Sequence, residues 1–186
     1  MHRHNAFLTL TLNDDHLTEK YFTGLHDPRT GKPIYGGTLA KRDVQLFWKR
    51  LRKALSKDAR NGSTERFLYE PQLAADMGLR PMPPKIRYYM AGEYGELYRR
   101  PHYHACLFGI DLADKQYFCK SPTGEKLYIS KTLQALWPMG HITIGAVTFE
   151  SAAYVARYVM KKINGQQQKE HYTVIDQETG EINHLS

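Results

Sequence analysis

At 186 residues, the chain is long enough for one domain with a full hydrophobic core and too short for two of ordinary size. Hydrophobic residues at 41% and charged residues at 24% exclude wholesale disorder, and two cysteines, Cys106 and Cys119, exclude a disulfide framework. The 26 Lys plus Arg against 19 Asp plus Glu leave a net charge of +7, which favours a polyanionic partner such as nucleic acid.

In chain order, Ala6 to Leu12 alternates Phe7, Thr9 and Thr11 with Leu8, Leu10 and Leu12, the period of a half-buried strand, and Asn13, Asp14 and Asp15 end it. Residues 24 to 37 hold Gly24, Pro28, Gly31, Pro33, Gly36 and Gly37 and read as a turn-rich excursion. Thr38 to Lys57 reads as a helix. Val44, Phe47, Trp48, Leu51 and Leu55 recur at helical spacing with Lys49, Arg50, Arg52 and Lys53 among them, so one face packs and the other is basic. Residues 58 to 84 read as a loop, because Pro81, Pro83 and Pro84 disfavour an ordered helix or central strand. Ile86 to Ala91 and Tyr103 to Ile110 are strand candidates whose connection is short enough for an antiparallel hairpin. Lys131 to Leu136 follows as a short helix, His141 to Gly145 as a strand, and Glu150 to Ile163 as a second long helix ended by Gly165. Between Tyr172 and Ile182 the turn signal Glu178-Thr179-Gly180 marks a hairpin or the start of something cut off. This order argues for an α+β fold, an antiparallel sheet covered by helices. The apolar runs fall short of the eighteen or so residues a membrane span needs, and the first residues lead into no signal-peptide core, so a soluble intracellular protein with no membrane partner is expected.

Chemistry enters with His102 and His104. On a strand, alternate side chains share a face, so both imidazoles project the same way from Cα atoms about 6.5 to 7 Å apart, and one ion can bridge them. A divalent cation also needs an oxygen ligand. Glu93, at the end of the neighbouring strand, is preferred to Glu96, which sits nearer the hairpin tip. The same His-x-His pattern also fits two histidines facing solvent on an edge strand or hydrogen-bonded in a core.

At about 100° per residue, Ser151, Tyr154, Tyr158 and Lys161 share one side of the second long helix, with Arg157 and Lys162 at its borders. Ala152, Val155, Ala156, Val159 and Ile163 occupy the opposite side, which is expected to dock on the sheet and leave the phenols on the other. A phenol is a weak nucleophile at neutral pH unless a cation stabilises its phenolate. Lys161, one turn on, is placed to do so. The alternative is an aromatic pair that merely packs.

With these residues in view, the chain resembles the replication initiators of the small single-stranded DNA phages, the microviruses and especially the gokushovirus group, within the wider HUH endonuclease family. The resemblance lies in Phe7-Leu8-Thr9-Leu10-Thr11, in Arg100-Pro101-His102-Tyr103-His104 and in the run from Tyr154 to Lys162, with Gly92-Glu93-Tyr94-Gly95 ahead of the histidines. It implies an RRM-like antiparallel sheet of about five strands, with the histidines on a central strand and the tyrosines on a helix facing them. The nuclease domain is expected over residues 1–165, with 166–186 as a C-terminal tail or hairpin, or as the point where a longer protein has been truncated. Further implications are Mg²⁺ or Mn²⁺ as cofactor, cleavage of single-stranded DNA at a phage origin, and a 5′-phosphotyrosine intermediate with a free 3′-hydroxyl. A second phenol can then cleave again and close the displaced strand. Host helicase and replication machinery are the implied partners, in the cytoplasm of an infected bacterium. In one departure, Arg157 stands where such helices often carry lysine. Arginine keeps its charge, so any acid–base role falls to Lys161.

The mechanism expected from these residues has His102, His104 and Glu93 holding a cation that polarises the scissile phosphate, Tyr154 or Tyr158 attacking in line, and Lys161 and Lys162 stabilising phenolate and phosphate. Religation draws on the phosphotyrosine bond, which accords with the lack of a GxxxxGK[ST] phosphate loop. Arg87, Arg99, Arg100, Arg157 and the basic face of the first long helix are candidates for backbone contacts, and Tyr88, Tyr89, Tyr94 or Tyr103 for base stacking. Two other readings remain: a non-catalytic module that binds single-stranded nucleic acid, and a metal enzyme using two histidines and a carboxylate for oxidation or hydrolysis.

Overall fold

The structure is a computed structural model describing residues 2–17, 22–35, 39–63, 65–69, 85–95, 100–160, 173–175 and 182–184. Its centre is a six-stranded antiparallel sheet. The strands are β1 (Asn5–Thr11), β5 (Arg87–Tyr94), β6 (Pro101–Phe108), β8 (Gln116–Lys120), β9 (Lys126–Ile129) and β10 (Ile142–Gly145), in spatial order β5-β6-β1-β10-β9-β8. The expected α+β antiparallel architecture is therefore present, with one strand more than the five anticipated.

Alternation along β1 decides the layering. Ala6, Leu8 and Leu10 are fully buried on one side while Phe7, Thr9 and Thr11 are half-buried on the other. The first side meets α1 (Lys41–Arg60), whose Val44, Phe47, Trp48, Leu51 and Leu55 form the packing stripe, and α2 (Lys131–Leu136). Trp137, just past α2, stands edge-on to Phe47 and Tyr103, and its indole N–H donates to the Thr11 carbonyl at 2.8 Å. A large aromatic is thus buried with its one polar atom satisfied. The other face is covered over β5 and β6 by α3 (Phe149–Met160). The core there is small: Ala91, Cys106 and Val155, flanked by Phe7, Phe108, Val147, Ala152 and Tyr158.

Several boundaries differ from the sequence expectations. Thr38 lies outside the described residues, and α1 runs from Lys41 past Lys57 to Arg60, because Ala59 is buried and Asp58 accepts a 2.7 Å bond from Arg66 Nε. The excursion over 24–37 contains a hairpin, β2 (Phe22–His26) with β3 (Pro33–Tyr35), turned at Asp27, whose carboxylate accepts the Arg29 and Thr30 N–H groups. Within the expected loop of 58–84, β4 (Phe67–Tyr69) pairs with β7 (Ile110–Leu112), and 70–84 lie outside the described residues. The expected strand Tyr103–Ile110 begins earlier, at Pro101, and breaks at Gly109, whose φ of +80° lets the chain leave the sheet for β4. The sequence reading missed the β8–β9 hairpin, which supplies the extra strand. Residues Lys131–Leu136 are helical as expected. In the tail, β11 (Thr173–Ile175) and β12 (Ile182–His184) pair antiparallel, so a hairpin forms there, while its turn, and Gly165 before it, lie outside the described residues. Among the described residues no helix is long and apolar enough to cross a membrane.

Candidate active site under helix α3

Strand register gathers the polar residues. Glu93 pairs with His102 and Ala91 with His104 between β5 and β6, while Thr9 pairs with His104 and Thr11 with His102 between β1 and β6. Directly opposed residues share a face, so Glu93, His102, His104, Thr9 and Thr11 all project toward the α3 side. β6 lies inside the sheet with a partner on either flank, which holds both imidazoles to a fixed spacing.

The closest contacts centre on one oxygen. Glu93 Oε1 lies 2.8 Å from His104 Nε2 and accepts a 2.7 Å hydrogen bond from the Tyr154 hydroxyl. The side chains of Glu93 and His104 are each only 11% exposed. The other nitrogen of His104, Nδ1, lies 3.1 Å from Thr9 Oγ1, and Phe7 stacks on the same ring at 5.8 Å. Tyr154 stands edge-on to His104 with centroids 5.0 Å apart, and Tyr158 is 4.9 Å from Tyr154. The rings of His102 and His104 are nearly parallel, 6.5 Å apart.

Electrostatics follow from this crowding. Burial works to raise the Glu93 pKa, but the bonds from His104, Tyr158 and Tyr154 outweigh it, so the carboxyl is held below its ordinary value and stays ionised. Burial lowers His102, against the pull of the Arg100 carbonyl, and keeps it neutral. Tyr154 is pushed far above the usual phenol value, first by burial and then by Tyr158 and Glu93. Its proton is thus held firmly, and it points at a carboxylate.

Two buried atoms are left over. Glu93 Oε2 and His102 Nδ1 have no hydrogen-bond partner among the described residues. A carboxylate oxygen and a neutral imidazole nitrogen are donors suited to a divalent cation, so the residues fit one. No three His, Cys, Asp or Glu side chains among the described residues already stand close enough together to hold an ion. His102 is the group that must turn, within a cradle made by Gly95, where an added Cβ would come 3.0 Å from His102 Cε1.

A family model described as a replication-associated protein of the ORF2 type matches residues 5–163. The chain belongs to this family. It is 30% identical to the replication-associated protein VP4 of Bdellovibrio phage phiMH2K over 90% of this chain and 42% of that protein. It is 32% identical to the replication-associated protein ORF2 of Spiroplasma virus 4 over 87% of this chain and 39% of that protein. With the replication-associated protein ORF4 of Chlamydia phage 1 it shares 26% identity over 87% of this chain and 31% of that protein. The chain thus spans less than half the length of these relatives. No solved structure matches it.

In this member of the replication-associated family, the sequence-predicted site residues divide sharply. Glu93, His102, His104, Tyr154 and Tyr158 come together. Lys161, Lys162, Arg99 and Glu96 lie outside the described residues. Arg157 is exposed on α3. Arg100 turns inward instead, donating to the Leu12 carbonyl at 3.0 Å and pairing with Asp14 at 2.7 Å, so it ties the end of β1 to β6. Arg87 is exposed at the far end of β5, opposite Phe108 and about 20 Å along the strand from Glu93. Of the stacking candidates, Tyr88 lies on Trp48 at 3.9 Å and Tyr103 is buried against Trp137, so both are packing rings on the other face. Tyr89 remains open on the α3 face and Tyr94 is half-buried.

The expected division of α3 into an apolar docking side and a phenolic outer side does not hold. Val155 is fully buried, and Tyr154 and Tyr158 also face the sheet. Residues 100° apart can both touch a flat layer, since a docked stripe spans about that arc or more. Thr9 is the residue the sequence reading noticed only as part of a strand. Its hydroxyl can accept a proton from His104 Nδ1, leaving Nε2 with a free lone pair, or donate to Nδ1 in the opposite tautomer. The available signal was its place on the same face of β1 as Phe7 and Thr11.

Proposed function

We propose that this chain acts in phage DNA replication as a rolling-circle initiator, a strand transferase that cuts single-stranded DNA at an origin through tyrosine. The observation carrying this reading is the Tyr154 hydroxyl bonded to the Glu93 oxygen that also meets His104. Such an arrangement pairs a nucleophile with its base and the base with an orienting group. Tyr154 Oη attacks phosphorus as its proton passes to Glu93 Oε1; the bond from phosphorus to the 3′-oxygen breaks, and that oxygen takes a proton from water. A 5′-phosphotyrosine and a free 3′-hydroxyl result. A Mg²⁺ or Mn²⁺ ion held by His102, His104 and Glu93 would supply Lewis-acid stabilisation of the non-bridging oxygens. Tyr154 is the first nucleophile, since it is the phenol on the carboxylate, and Tyr158 is placed for a second transfer. Lys161 and Lys162 would add charge to phenolate and phosphate.

Backbone binding falls to α1. Arg42, Lys49, Lys53 and Arg60 are exposed, lie within about 40° of one another on the helix and span about 27 Å. None of them is ion-paired among the described residues. A line of cations of that length suits phosphates, together with Arg157 and Arg87. The cellular setting is the cytoplasm of an infected bacterium, with a host helicase and replication machinery opening the duplex.

The test is a denaturing gel of the chain incubated with circular phage single-stranded DNA and Mn²⁺. A protein band carrying covalent DNA is expected, lost in Tyr154→Phe. Retarded DNA on native gels with no covalent band would instead indicate a non-catalytic binding module, and an adduct that survives the double change of Tyr154 and Tyr158 to Phe would rule out the tyrosine assignment.

A further inference from the structure

A cavity of about 370 Å³ lies at the β5 edge of the sheet, where strand order ends, and opens round that edge from α1 toward α3. We infer that it receives one nucleobase of the single strand, the base of a nucleotide flanking the cut. This rests on the strand-transferase reading and adds to it a site for sequence selection.

The argument begins with position. Tyr158 forms part of the wall, and its ring is one aromatic contact, 4.9 Å, from Tyr154. Ala91 and Gly92, immediately before Glu93 in β5, form another part. A phosphodiester held at Glu93 and Tyr154 has a base on each side to be placed. The adjoining hollow is the nearest described space that can take one.

Its chemistry matches a base. Met90 and the Tyr158 ring offer polarizable, flat surfaces, and Trp48, whose indole N–H is directed to Met90 Sδ at 3.2 Å, backs them. A planar heterocycle binds such walls through either face without regard to sequence. Discrimination requires hydrogen bonds at its rim. Gln45, exposed on α1, carries both an amide donor and a carbonyl acceptor at the cavity, the pair that can engage a base edge. Lys41, at the first turn of α1, places an ammonium there for a phosphate.

The volume falls within the range of about 300–1,000 Å³ usual for ligand pockets, at its small end, which suits one base rather than a stacked pair. Gly92 keeps the hollow closely built. An added Cβ there would come 2.5 Å from Leu39 Cδ1 and 3.2 Å from Tyr103 Cδ1, so glycine lets the α1 approach segment close against the strand.

Photo-cross-linking tests this without relying on cleavage. The full chain is irradiated with single-stranded oligonucleotides carrying 5-iododeoxyuridine, and cross-linked peptides are identified by mass spectrometry. Adducts at Tyr158, Met90, Trp48 or Tyr88 are expected. In Gln45→Trp, which fills the cavity from an exposed helix position, those cross-links should disappear and affinity for the oligonucleotide should drop about tenfold. Affinity for the same oligonucleotide made abasic at the cross-linking position should match the wild type, and a thermal melt shows that the variant folds. Cross-links confined to other surfaces, or Gln45→Trp cross-linking and binding as the wild type does, would overturn the pocket. A covalent tyrosine adduct without cavity cross-links removes the pocket alone, and cavity cross-links without a tyrosine adduct remove the strand-transfer chemistry alone.

Discussion

Under α1 and α2 the sheet buries Leu8, Leu10, Tyr103, Leu107 and Ile144 against Phe47, Trp48, Leu51 and Trp137. Under α3 it buries only Ala91, Cys106 and Val155 and leaves Glu93, His102, His104 and Tyr154 bonded among themselves. The same strands carry both faces, since each β residue alternates between them. The first face supplies most of the apolar burial, about 1.5–3 kcal/mol for each large side chain taken out of water. That burial holds β1, β5 and β6 in register. The second face can then keep polar groups whose hydrogen bonding is incomplete, an arrangement that a core with little reserve would not tolerate.

Substitutions on the two faces should therefore separate chemistry from stability. The largest effect on chemistry is expected from Tyr154→Phe, which removes the phenol oxygen and should abolish the covalent adduct while the melting temperature stays close to wild type. Glu93→Gln comes next. Losing the proton acceptor should slow adduct formation by on the order of 10²–10⁴, measured in single-turnover gels with melting monitored alongside. Leu51→Ala, on the other face, should do the reverse. It should lower stability by about 2–5 kcal/mol in denaturant titrations and leave the rate per folded molecule unchanged. A Leu51 variant with unchanged stability but slowed chemistry would erase the distinction between the faces.

The cationic line of α1 sharpens the comparison from outside the core. Changing Arg42, Lys49, Lys53 and Arg60 together to Gln should weaken single-strand binding at low salt. It should also reduce the slope of log affinity against log salt by about 3, from roughly 0.7 per phosphate contact. A slope that stays the same would move the backbone path away from α1.

Much of this arrangement was legible in the chain. Alternation in Ala6 to Leu12 marks β1, and the spacing of His102 and His104 with Glu93 across a hairpin places three side chains on one face, because the period of a strand is fixed at two. The pairing of short strands was not legible. Whether Phe67–Tyr69 meets Ile110–Leu112, or Gln116–Lys120 folds onto Lys126–Ile129, depends on partners distant in sequence or on weak alternation such as Tyr117-Phe118-Cys119, where the register shifts. Nor was the roll of α3 legible. The helix pattern alone separates Tyr154 from Val155 by 100°, but the angle at which a helix lies on a sheet is chosen by packing, and here both point down. Arg100 shows the same limit, because its partners, the Leu12 carbonyl and Asp14, are brought to it only by folding.

The smallest expected effect concerns Thr9, and it tests how far the catalytic face depends on the strand beneath it. Thr9→Val keeps the β-branched shape and the register with His104 but removes the hydroxyl 3.1 Å from Nδ1. His104 would then lose the group that fixes which of its nitrogens carries the proton, while its contact with Glu93 remains. Changes of this kind behind a ligand histidine typically reduce metal affinity or activity by about 10–100-fold. The expected outcome is a loss in that range in adduct rate at limiting Mn²⁺, partly recovered at saturating Mn²⁺. Thr9→Ser, which restores a hydroxyl, should behave close to wild type. If Thr9→Val cut and bound Mn²⁺ as the wild type does, His104 would be oriented by Phe7 stacking and Glu93 alone, and β1 would contribute to the site only as a strand.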